Sequence, residues 1–109
     1  MSASRTTIAE HDVLDNVHPG EILREDFLIG TEIPLSEVAE KTGISAGLLQ
    51  RLLAGDAAVT AEVDLRLGAY FGMSNGFFLR LQNAYDLEEI YRTAGAEINR
   101  IQPRVRHAA

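Results

Sequence analysis

The chain has 109 residues, ten basic against sixteen acidic side chains, a net charge of −6 and no cysteine. That is the length of one domain, and an apolar share of 46% suffices for one small core. Disulfides and thiolate metal sites are excluded, no stretch approaches the roughly 18 apolar residues of a membrane span, and the first residues lack a signal-peptide core, so a cytoplasmic protein is expected.

Residues 1–17, MSASRTTIAEHDVLDNV, hold no sustained helical period and read as an extended or partly disordered lead-in. From His18 to Tyr91 short helical segments follow one another, punctuated by Gly30, Gly43, Gly55 and Gly72. No run alternates strictly between apolar and polar, so an all-α domain of five helices is predicted over residues 18–91. The first helix opens at His18-Pro19-Gly20-Glu21, with proline at an early position where its missing amide does no harm. The second runs from Leu35 to Thr42 behind Pro34, and the third from about Ser45, an N-cap candidate, to Ala54. The fourth follows Thr60 and stops at Gly72, with Glu62 and Asp64 in its first turn, where the helix dipole favours anions. The fifth follows Ser74 and is predicted to end near Tyr91, leaving 92–109 as a basic tail. Its apolar residues are too many for one narrow stripe. That points to a homodimer interface at Phe77, Phe78, Leu81 and Tyr85, or else to a helix sunk deep in the core.

Charge is unevenly spread. The lead-in sums to −2, residues 18–90 to −7, and residues 91–109 to +3 through Arg92, Arg100, Arg104 and Arg106. The basic end reads as a solvated tail or as an arm for phosphate or a partner. Glu21, Glu25 and Asp26 cluster on the first helix, but exposed carboxylates are normally solvated, and no nucleophile–base pair or glycine-rich phosphate loop occurs. His11, His18 and His107 lack metal-ligand spacing. No enzyme, metal or cofactor is expected.

The informative stretch is Ile33 to Gly55, IPLSEVAEKTGISAGLLQRLLAG. Two short helices around a tight turn at Gly43, with Ala39 small enough for close packing and Ile44 plugging the turn, have helix-turn-helix proportions. In such a unit the front of the second helix enters the DNA major groove. That assigns the contact positions to Lys41, Ser45, Ala46, Gly47, Leu48, Gln50 and Arg51.

From His18 to Leu87 the chain carries His18-Pro19-Gly20-Glu21-Ile22-Leu23 with Phe27-Leu28, then Ala39 and Gly43-Ile44-Ser45. The series continues through Gly55, Val59-Thr60-Ala61, Leu65-Arg66-Leu67 and Tyr70-Phe71-Gly72 to the closing LxLQxAYDL of residues 79–87. The combination resembles the HigA/VapI group of antitoxins, within the Xre (lambda-repressor-like) helix-turn-helix superfamily. It implies a dimeric antitoxin that binds double-stranded operator DNA as an autorepressor. It also implies a basic toxin partner, often an mRNA-cleaving ribonuclease of the RelE-like kind.

The departures from that family fall where DNA is read. Leu35 stands where glutamine is common, Ala46-Gly47-Leu48 where arginine or polar residues are frequent, and Asp56-Ala57 where a basic pair is usual. These changes remove phosphate contacts and bidentate guanine contacts. Gln50 can still pair with adenine, Ala46 or Leu48 can meet a thymine methyl, and Arg51 can hold a phosphate. Asp64, Gly68 and Asn75-Gly76 also depart, and bear on stability more than on chemistry. The competing expectation is a protein-binding module that keeps the fold, with Leu48 and Leu53 as its apolar face.

Overall fold

The computed structural model describes residues 15–105. They form five helices and no strand. Helix α1 begins as a turn at Pro19–Ile22 and widens into π-helical winding over Leu23–Ile29. It is followed by α2 (Leu35–Thr42), α3 (Ala46–Leu53), α4 (Ala61–Phe71) and α5 (Phe77–Asn99). The lead-in is described only from Asp15. There Asn16 donates from its side-chain amide to the Tyr85 carbonyl and the Glu89 carboxylate.

The start of α1 explains its sequence. His18 is the N-cap, and its Nδ1 accepts from the Gly20 amide at 2.9 Å. Pro19 occupies the first turn, and a Cβ on Gly20 would stand 1.8 Å from the Leu52 carbonyl oxygen. Only glycine lets α1 approach α3 this closely. The His18 ring then packs edge-on against Tyr85, with centroids 4.9 Å apart.

Leu23, Val38, Leu49, Leu52, Leu67 and Phe78 form the buried centre, one or more from each helix. Around Phe27 an aromatic cluster of Phe71, Phe77 and Phe78 docks the first turn of α5 onto α1 and α4. Ser45 and Thr60 cap α3 and α4, accepting from the Leu48 and Val63 amides. Gly43 and Gly72 close α2 and α4 in the left-handed conformation, at φ 78° and 74°.

Helix α5 departs from the sequence expectation at both ends. It starts at Phe77 behind Gly76, not directly after Ser74, because its cap comes from another helix. The buried Asp64 carboxylate of α4 accepts from the Gly76, Phe78 and Leu79 amides at 2.7, 2.8 and 3.0 Å. The helix ends at Asn99, not Tyr91. Ala94, Ala96 and Glu97 are good helix formers, Arg92 pairs with Glu88 one turn back at 2.7 Å, and the next proline is Pro103. The first part of the expected tail is therefore helical. The last residues of the chain, Arg106 among them, lie outside the described residues.

Candidate nucleic-acid interface

The turn between α2 and α3 is held from three directions. Thr42 is buried; its hydroxyl donates to the Val38 carbonyl at 2.6 Å and accepts from the Ile44 amide at 3.1 Å. The Gly43 amide bonds to the Ala39 carbonyl at 3.0 Å. From α4, Arg66 donates to the Thr42 carbonyl at 2.8 Å and, through Nε, to Glu62 at 2.9 Å. Sequence reasoning placed no role on Thr42 or Arg66. The only available signals were a threonine one residue before the turn glycine and a lone arginine among the apolar positions of the fourth helix. Ile44 is 5% exposed and fills the angle between the two helices, as expected of it.

This clamp leaves one edge of α3 open. Ser45, Ala46, Gly47, Gln50 and Arg51 are exposed, as is Lys41 at the end of α2. Among the described residues the side chains of Lys41, Gln50 and Arg51 have no hydrogen-bond or ion-pair partner, so these polar groups are free for an external one. Ser45 keeps its hydroxyl as the cap of α3, accepting from the Leu48 amide at 3.1 Å. Leu48 is less open than these. It is half-buried against the core, beside Ile44 and Val63, because its position on α3 turns it towards α4. Leu53 is half-buried too, and Leu35 packs inward at the start of α2.

The expected dimer residues are spread over different environments. Phe78 is 1% exposed in its own protomer's core and has no surface to offer. Phe77 and Leu81 are half-buried against that core, and Tyr85 is half-buried beneath His18. The apolar side chains that α5 exposes lie further along: Leu87, Ile90, Tyr91 and Ile98, continued past the helix by Ile101 and Val105. Among the described residues no cluster of histidine, aspartate and glutamate could hold a metal ion, and no helix is long and apolar enough to cross a membrane.

Similarity to known proteins agrees with this geometry. No protein-family model matches the chain. Virulence-associated protein I of Dichelobacter nodosus is 35% identical over 72 residues, which cover 66% of this chain and 67% of that protein. Antitoxin HigA-1 of Vibrio cholerae is 30% identical over 87 residues, covering 80% of this chain and 82% of that one. The solved structure of Pseudomonas aeruginosa antitoxin HigA with the higBA promoter superimposes with a TM-score of 0.76 at 33% identity, over 84% of this chain and 100% of that chain. The chain belongs to the HigA/VapI family of helix-turn-helix antitoxins.

As a HigA/VapI chain, it is sparsely supplied with cations at the helix-turn-helix. Arg66 is committed to Thr42 and Glu62, which leaves Lys41 and Arg51 as the free cations at the edge among the described residues. Asp56, where a basic residue is usual, is exposed just past α3, with its amide bonded to the Arg51 carbonyl at 2.8 Å.

Proposed function

We propose that this protein is an antitoxin that neutralises a partner toxin and represses its own operon by binding operator DNA through α3. The observation that carries this reading is the open edge of α3, held by the Thr42–Arg66 clamp in the fold of a relative solved with its promoter. Ser45, Ala46, Gly47, Gln50 and Arg51, with Lys41, face the major groove and the flanking phosphates. Leu48 supports them from behind. The protein acts by binding and not by catalysis, and it works in the cytoplasm, where its operon is transcribed.

The acidic body suits a basic toxin such as a RelE-like ribonuclease, since complementary charge speeds association. The homodimer forms through the exposed length of α5 and not through its buried start. Leu87, Tyr91, Ala94 and Ile98 recur at alternating four- and three-residue steps along one face. In sequence Asp86, Glu88 and Glu89 flank Leu87, and Arg100 and Arg104 follow Ile98, so an antiparallel pair brings segments of opposite charge alongside each other. The reading as a protein-binding module that has lost DNA is less favoured, because Leu48 and Leu53 are half-buried against the core and do not form an exposed apolar face.

The antitoxin half is tested by expressing a short basic reading frame adjacent to this gene. Growth arrest that co-expression of this protein relieves is the expected result; arrest that persists despite soluble co-expression contradicts it.

A further inference from the structure

Gly47 is the second residue of α3, and no contact among the described residues explains it. A Cβ built on it meets no atom within 4 Å, and its φ lies outside the left-handed range. The contrast with other glycines is direct. Gly20 is forced by the Leu52 carbonyl, and Gly43 and Gly72 by their positive φ. In a helix glycine is disfavoured by about 1 kcal/mol relative to alanine, and here it stands at the front of the helix that faces DNA. Its neighbours on the exposed edge are Ala46, with a single methyl, and Gln50, one turn on, whose amide has no partner among the described residues.

We infer that Gly47 and Ala46 are specificity-determining residues. They let the front of α3 seat against base edges at backbone distance, so that Gln50 reads an adenine in bidentate fashion and Ala46 packs on a neighbouring thymine methyl. The target is an A·T step in the major groove of each half-site, read without arginine–guanine pairing. This rests on the DNA-binding reading above and deepens it.

Three properties are accounted for together: the missing Cβ at 47, the small side chain at 46, and the free amide at 50. A longer side chain at 46 or 47 would hold the helix away from the groove floor, beyond the reach of Gln50. The missing basic residues fit the same scheme. Closer seating on the bases substitutes for some of the phosphate contacts.

The test uses the full-length chain and a pool of random-sequence duplexes. The wild type is expected to enrich half-sites containing an A·T step. On the enriched duplex, Gly47→Ala should weaken binding by on the order of tenfold while its melting temperature stays level or rises. Replacing the critical thymine with uracil, which deletes the methyl, should weaken the wild type severalfold. Replacing the adenine with 7-deazaadenine should cost the wild type about 5- to 150-fold and leave Gln50→Ala unchanged. Enrichment with equal binding by Gly47→Ala overturns the inference and spares the repressor reading. A lower melting temperature for Gly47→Ala also overturns it, by showing that the fold itself needs the glycine. Failure of the wild type to enrich any sequence overturns the repressor reading and this inference with it.

Discussion

The Asp64 carboxylate accepts three amides from the first turn of α5 while itself only 1% exposed. Gly76 has no side chain with which to cap that helix, so the cap is supplied across the α4–α5 turn, and the negative charge sits where the helix dipole favours it. Asp64→Ala leaves those amides without a partner and should lower stability by about 3 kcal/mol in urea denaturation, with Asp64→Asn intermediate. Gln82 does similar work at the opposite turn, accepting from the Val59 amide at 2.8 Å and donating to Asp86. Tyr70 joins α4 to α2 by donating its hydroxyl to Glu37. That hydrogen bond, then partial burial, then the negative charge of Glu37 hold its pKa above the ordinary value of 10.0. Because the fold favours the neutral phenol, the stabilisation is complete below that value and is lost as pH rises through the higher folded one. A phenolate absorbance titration of the native protein should therefore extend above the ordinary tyrosine range. In Tyr70→Phe that late portion should vanish.

At the scale of elements, most helix boundaries are legible because the signals are local. Pro19, Ser45 and Thr60 start helices, and Gly43 and Gly72 end them, through backbone geometry that a few neighbouring residues decide. Helix α5 is misread because its boundaries are not local. Its cap is Asp64, twelve residues before Gly76, and its far end lies beyond the last residue of the family-like motif. Among the expected dimer residues, the burial of Phe78 is illegible for a related reason. Periodicity counts apolar residues without saying which are covered, and the aromatic cluster around Phe27 covers the first turn of α5. The exposed length that remains should pair two copies. Leu87→Asp with Ile98→Asp should convert a dimer into a monomer in light scattering at micromolar concentration, with the far-ultraviolet helical signal preserved. A wild type that is itself monomeric under those conditions would contradict the α5 seam.

At the scale of the whole molecule, the net charge of −6 initially weighs against a nucleic-acid partner. The fold places the free cations Lys41 and Arg51 beside the exposed edge of α3, while Arg66 is spent on the turn. The helix-turn-helix itself was legible in the sequence, from Gly43, Ile44 and Ser45. The inward turn of Leu48 and the clamp through Thr42 and Arg66 were not, since both depend on how α4 lies across the motif. A dimer with two free cations per protomer at the groove among the described residues should neutralise about four phosphates through them and bind with a correspondingly shallow salt dependence. The decisive measurement is an equilibrium titration of the duplex upstream of the gene, and of a scrambled duplex, across a range of salt. The account predicts preference for the upstream duplex, with log K falling against log salt at a slope of about −4. Equal binding to both duplexes at every salt concentration would contradict it.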